Sequence, residues 1–475
     1  MSQVICKGNW ALFKGSDAEI EKFKSLLTFR DSSAVYTKLY RRGLWDGVVK
    51  LYKETMNGLM FRSGLISYLK ESFPDMEVID VERKLEVDGN VALPVKLREY
   101  QIEALEAVKE KMKGIVSIPT SGGKTWIAVG VFKMFKGQKY LYLVHRIELL
   151  WQVSAILEEV LPGEVGRVGG NLGEDDFSKK YVVGMVQTLY SWVRQKRELE
   201  EFKKVEVLVV DECHHIVGRT YREVIDACEN VVVKVGLTGT VPSELLDALR
   251  VKGVLGDVIY EVPVEELVKG GYVVGPYVYM YKGDWFDQEE FERLRSKVNW
   301  TKFGFTREYW EAVRETFIVR NEKRNKLIVD LIKERKGVLV IVDLIEHGRR
   351  LSEMSGYRFV WADSEDRLEV FEKFKKGEID CLISSPILEE GVDVSEIEVV
   401  VLASGGKSKR KLLQRIGRGM RLAEGKTKVE IIDFYDEAPP LLKKHTKERM
   451  VVYRKMGFPV DVKEVGSEDL GKSDV

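Results

Sequence analysis

Short runs of valine, isoleucine and leucine alternate along most of this chain with charged amphipathic stretches. The runs KYLYLVH, VEVLVVDEC, VVVKVGLTGT, GVLVIVD and IDCLISS have few polar interruptions, the pattern of strands buried on both faces. The resulting β-α-β-α order predicts parallel sheets with helices on both sides. It occurs twice, before and after an interruption near Gly283 to Arg320, so the fold class is α/β with two parallel-sheet lobes in tandem. Residues 1–90 have another texture, aromatic-rich and glycine-punctuated, closing in the acidic DMEVIDVERKLEVDGN before Pro94. They predict a small N-terminal α+β accessory domain. The expected boundaries are 1–90 for this domain, 91–275 for lobe one, 276–450 for lobe two with an inserted segment at about 284–320, and 451–475 for a polar tail. The tail's ending, GSEDLGKSDV, has the composition of frayed chain.

Composition narrows the picture without choosing a function. A chain of 475 residues, 44% hydrophobic, is long enough for two or three domains with cores of their own. Its 76 basic and 76 acidic residues cancel, so any surface for a polyanion must be local. Cys6, Cys213, Cys228 and Cys381 are scattered and form no C-x-x-C pair, which argues against a disulfide framework or structural zinc and for a reducing, cytoplasmic setting. No apolar stretch approaches the roughly 20 residues a membrane helix needs, so a soluble protein is expected. The charged fraction of 32%, built on Lys and Glu, suits a thermophile.

Chemistry enters at IPTSGGKT, Ile118 to Thr125, which lies between the apolar GIVSI and the helix-like WIAVGVFKMF. Strand, loop and helix form the context a phosphate-binding loop needs. Thr120, Ser121, Gly122 and Gly123 would bring backbone N–H groups to phosphate oxygens, with Lys124 reaching the terminal phosphates and the Thr125 hydroxyl ligating magnesium. Ile118 stands where the full pattern has its first glycine. Farther on, an apolar strand ends in DECHH, delivering Asp211 to the metal and Glu212 to the water that attacks the γ-phosphate. His214 fits either a relay of nucleotide state or a structural histidine, and His215 a structural one. Upstream, LREYQ supplies Arg98 and Gln101; the Gln101 amide matches the donor and acceptor of an adenine edge. LTGT offers Thr238 and Thr240 to couple the lobes.

A second set lies more than two hundred residues later. SSPILEEGVDV contains Gly391 and Asp393, expected on the ribose or γ-phosphate side of the cleft, and QRIGRGMR contains Gln414, Arg418 and Arg421. Arg418 and Arg421, three apart, would share one helix face and act as arginine fingers on the same phosphate. Two stretches mix cations with rings able to stack on bases: KLYRRGLWDGVVKLYK, with Arg41 and Arg42, and KVNWTKFGFTREYW, with Lys302. Each reads equally well as a small aromatic core with a solvated rim.

In order, IPTSGGKT, HRIELLWQ, VQTL, DECHH, LTGT, EEGVDV and QRIGRGMR resemble the motif series of superfamily 2 helicases over about residues 95–450. The C-terminal passage is similar to the DNA-directed branch with XPB-like and UvsW-like proteins, and the N-terminal region more loosely resembles the UvsW accessory domain. The resemblance implies two RecA-like lobes, ATP and Mg2+ as cofactors, and an ATP-dependent DNA motor that unwinds or remodels forks, displacement loops and four-way junctions. It also implies that Arg146, Gln187 and Thr188 lie along the nucleic-acid strand and that the insertion is thumb-like. An RNA helicase, the motor subunit of a restriction or defence complex, and a non-enzymatic ATP-gated binding protein remain as alternatives.

Overall fold

The computed structural model describes the chain except residues 1, 32–33, 35–36, 81–83, 89–92, 120, 171–175, 298–306, 386–396, 407, 424–425 and 466–475, and except the side chains of 307, 368, 409–411, 414 and 418. It divides into two compact units, residues 1–119 with 123–262, and residues 263–475 with 120–122. Among the described residues no helix is long and apolar enough to cross a membrane.

The first unit holds a seven-stranded parallel sheet in the order 165–168, 181–185, 139–144, 205–210, 233–238, 113–117, 258–261. Strands Lys139–Val144, Val205–Val210 and Val233–Thr238 are buried at every position, which explains their largely apolar runs, interrupted by the buried Lys139, Glu206 and Lys234. Polar side chains collect at strand ends and loops, where function resides. A five-stranded sheet in the N-terminal region includes Gln3–Lys7, Trp10–Lys14 and Gly58–Arg62. It packs around Phe13, Phe23 and Phe61, and Leu249 of the larger sheet's layer joins that core. The buried Lys234 ammonium donates to Asn9 Oδ1 at 2.7 Å, Asn9 Nδ2 donates to the Ile225 carbonyl at 3.0 Å, and Arg62 forms an ion pair with Asp226. These contacts fasten the N-terminal region to the sheet.

The second unit repeats the parallel architecture, with seven strands in the order 358–360, 381–384, 338–341, 399–402, 428–434, 275–283, 460–465. Two helices of the interruption, Gln288–Lys297 and Arg307–Arg314, pack through Phe291, Leu294, Tyr309 and Val313 onto Leu441 and Leu442 at the start of helix Pro440–Lys455. The frayed tail expected from residue 451 is corrected. The helix continues to Lys455, and Val460–Val465 pairs in parallel with Gly275–Gly283 as an edge strand. Val452, Tyr453 and Phe458 are buried, so spaced apolar anchors outweigh the polar average of that stretch.

All four cysteines are buried free thiols, and burial pushes the Cys381 thiol up to about 12.

Candidate nucleotide site and nucleic-acid face

Strand Lys113–Ser117 feeds the glycine-rich loop, and helix Lys124–Met134 leaves it. Gly123 caps that helix with φ +72°, in the left-handed region, and a Cβ there would stand 2.6 Å from the Gln101 amide nitrogen. Ser121 also has φ +72°, a conformation costly for a residue with a Cβ. The Gln101 amide is buried and works within the protein: Oε1 accepts from the Arg98 N–H at 2.9 Å and Nε2 donates to the Gly123 carbonyl at 3.2 Å. Arg98 itself donates from its guanidinium to the Tyr100 hydroxyl at 2.9 Å.

The Lys124 ammonium lies 3.8 Å from Glu212 Oε1, with both side chains mostly buried, and 3.4 Å from the Ile118 carbonyl. Asp211 directly follows strand Val205–Val210 and accepts from the Glu212 N–H at 3.0 Å. Burial, with a smaller contribution from neighbouring Glu212, raises the Asp211 carboxyl to about 6, and Lys124 partly opposes the shift. A buried carboxylate pair facing one ammonium is a donor set that accommodates a divalent cation together with phosphate. No group of three or more His, Cys, Asp and Glu able to hold a metal occurs among the described residues, so such an ion would complete its shell with nucleotide and water oxygens. Thr125 stands half-buried in the first turn of the following helix.

Behind the carboxylates lies a histidine layer. His214 Nδ1 is 3.1 Å from Thr238 Oγ1 and 3.3 Å from Glu212 Oε2. The Thr238 hydroxyl donates to the Thr240 carbonyl at 2.9 Å, so His214 Nδ1 carries the proton and Thr238 accepts it. The ring of His215 lies between those of His214 and His145, at 4.3 and 4.8 Å between centroids. Gln187 in turn donates to the His145 carbonyl at 3.1 Å. His215 thus joins the loop carrying Arg146 to the DECHH segment, a contact for which sequence spacing gave no sign.

In the second unit, helix Lys409–Gly419 carries the backbone of Gln414 and Arg418, whose side chains lie outside the described residues. Arg421 falls two residues past the helix end, so the expectation that it shares a helix face with Arg418 is corrected. Gly419 lets the helix end close to strand Lys428–Phe434, where a Cβ would meet Val429 Cγ2 at 2.4 Å. Beyond it the Met420 carbonyl accepts from the Val274 N–H at 2.8 Å, which fixes the chain leading to Arg421. Within the same motif, buried Arg415 pairs with Asp343, two residues past the end of strand Val338–Ile341. The loop before the helix is held from below: Arg324 donates to the Ala403 carbonyl at 2.8 Å and Arg449 to that of Gly406 at 3.1 Å, while His445 Nδ1 lies 3.3 Å from the Gly405 carbonyl. Arg449 also pairs with Asp433 at 2.7 Å, an acid that accepts from the Tyr453 hydroxyl at 2.7 Å.

Comparison with known proteins decides the family. Residues 94–243 match the family described as type III restriction enzyme, res subunit, and residues 322–423 match the helicase conserved C-terminal domain. The chain is 25% identical over 410 residues to the DNA 3'-5' translocase XPB2 of Sulfurisphaera tokodaii, covering 77% of this chain and 90% of that protein. It is 23% identical over 461 residues to the ATP-dependent DNA helicase uvsW of Enterobacteria phage T4, covering 89% and 88% respectively. This chain is a superfamily 2 helicase. The helicase is thus an ATP-dependent enzyme of two RecA-like lobes with an N-terminal addition. Its fold also matches the DNA-bound Type ISP restriction-modification enzyme LlaBIII, with TM-score 0.56 and 16% identity over 84% of this chain and 34% of that one.

Among the sequence-derived candidates in this helicase, Gln101, Gly123, Lys124, Asp211 and Glu212 converge through the contacts given above. Thr120, Gly391, Asp393 and Lys302 lie outside the described residues. Arg146 caps helix Ile147–Val160, Gln187 and Thr188 open helix Val186–Arg194, and Arg41 and Arg42 are exposed beside the exposed Leu39 and Tyr40. Sequence reasoning missed Arg324, Arg415, His445 and Arg449. Their partners stand far away in sequence, and only the parallel topology brings them together.

Proposed function

We propose that this helicase is an ATP-driven DNA motor that translocates on and remodels branched DNA in repair or recombination. The observation that carries the reading is the Lys124, Glu212 and Asp211 cluster at the strand ends, a mostly buried acid pair beside the phosphate loop. In this reading Lys124 and the loop from Thr120 to Gly123 hold the phosphates, Gln101 and Arg98 border the base, and Glu212 orients the attacking water. Thr125 and Asp211 hold Mg2+, which neutralises charge on the phosphate oxygens. Gln414, Arg418 and Arg421, with Gly391 and Asp393, complete the site from the second lobe, Arg418 and Arg421 acting as fingers. Arg146, Gln187 and Thr188 track one strand, and Arg41, Arg42 and Lys302 add grip from the accessory domain and the insertion. That XPB2 is a DNA 3'-5' translocase and uvsW an ATP-dependent DNA helicase supports DNA as the track. Four buried thiols support a reducing, cytoplasmic setting.

A second reading, the motor subunit of a restriction or defence complex, is favoured by the description of the first matching family. Phosphate release measured with duplex DNA, single strands, forked and four-way DNA, and RNA tests both. Stimulation greatest with branched DNA supports the first reading. Equal stimulation by plain duplex supports the second, and stimulation by RNA alone sinks both.

A further inference from the structure

Helix Pro440–Lys455 has two contrasting faces. Leu441, Leu442, His445, Thr446, Arg449, Val452 and Tyr453 are buried, and the Arg449, Asp433 and Tyr453 bonds fix that side to the sheet. The opposite side exposes Lys443, Lys444, Lys447, Arg454 and Lys455 around Val451, itself 61% exposed. Glu448 is the helix's one acid.

Several other helices of this chain pair an exposed cation with an acid one turn away. Lys109 pairs with Glu106 at 3.1 Å, Lys203 with Glu200 at 2.8 Å and Lys373 with Glu369 at 2.7 Å. Among the described residues none of the five exposed cations of Pro440–Lys455 forms an ion pair. Lys443 with Lys447, and Lys444 with Lys447, instead place like charges one turn apart, an arrangement that weakens an isolated helix. The buried side tolerates that cost because it anchors the helix independently. A chain whose 76 basic and 76 acidic residues balance does not produce such a face as a by-product of overall basicity. It concentrates charge there.

We propose that this exposed face is a second DNA-binding surface, gripping the phosphate backbone of a duplex without reading its sequence. The inference rests on the DNA-motor reading above. Lys443 to Arg454 span about 16 Å along the helix axis, the axial rise of roughly five phosphates on one strand of a duplex. Flexible lysines suit contacts to phosphate oxygens that carry no base information. The first turn of the helix shares a small apolar core with the inserted helices, so this grip and the insertion's would belong to one structural block.

The test is the affinity of the full chain for a fluorescent duplex with a single-stranded tail, measured across a salt series. The triple substitution Lys443→Glu, Lys444→Glu, Lys447→Glu is compared with the milder Lys443→Gln, Lys444→Gln, Lys447→Gln, each checked by its thermal melt. The expected result is a Kd weakened at least about tenfold near 0.1 M salt, with a smaller slope of log K against log salt, by about two to three for the Gln triple. Wild-type affinity and slope in a folded variant overturn this inference alone. A wild-type chain that binds no DNA overturns it together with the motor reading. Unchanged DNA binding with lost retention on phosphatidylserine vesicles replaces it with a membrane contact.

Discussion

Lys234, in the middle of the first sheet, donates to Asn9 of the N-terminal region at 2.7 Å with both residues buried. A buried ammonium that loses such an acceptor keeps its desolvation cost and loses the compensation. Asn9→Leu is therefore expected to destabilise the chain by about 1–3 kcal/mol, and Asn9→Leu with Lys234→Met to recover at least half of that. Thermal or denaturant melts of the two variants check it. A single variant as stable as wild type would mean that the bond contributes nothing.

Turnover tests the carboxylates. Lys124→Ala should abolish ATP hydrolysis, and Glu212→Gln should lower it at least about a hundredfold through loss of the group that orients the water. The Gln variant should still bind nucleotide, which a fluorescent ATP analogue reads directly. Near-normal phosphate release by Glu212→Gln would assign water activation elsewhere.

Arg421 follows the end of its helix, so its reach depends on the pinned chain around Met420. Arg421→Ala is expected to cost about a thousandfold in turnover with nucleotide affinity largely kept, the pattern of a finger. Loss of affinity in step with turnover would instead make it a binding residue.

His347 predicts a pH dependence. Burial, reinforced by Arg324 and Arg350, lowers it to about 3, and its Nε2–H donates to Asn325 Oδ1 at 3.0 Å, because the Asn325 amide nitrogen is committed to the Val319 carbonyl. The unfolded chain takes up this proton near pH 6.5 and the folded chain does not, so stability rises with pH across that window and is lost as pH falls from 6.5 toward 3. At pH 5 the loss amounts to about 2 kcal/mol. Melting temperatures at pH 7.5 and pH 5 should diverge more for wild type than for His347→Gln. Parallel behaviour of the two chains would remove His347 from the acid response.

Much of this fold was legible because parallel strands buried on both faces leave a largely apolar signature. The phosphate loop and DECHH were legible because their chemistry is local, packed into contiguous residues. What escaped was non-local or marginal. The extent of helix Pro440–Lys455 was hidden by its own lysines, whose charge dominates the average while spaced anchors such as Val452 and Tyr453 settle the structure. The place of Arg421 depended on how closely Gly419 meets Val429, a packing detail that helix periodicity does not carry. His215, assigned a structural role, sets its ring at a tilt against those of His214 and His145, and the distance of His145 in sequence conceals that contact.

The burial of every native thiol has a practical consequence. A maleimide needs accessible thiolate, and Cys381, with its thiol raised to about 12, supplies almost none near neutrality. Single cysteines introduced at exposed sites would therefore take dyes selectively in an otherwise natural chain, and a donor–acceptor pair with one dye on each unit would test whether nucleotide turnover changes the distance between them.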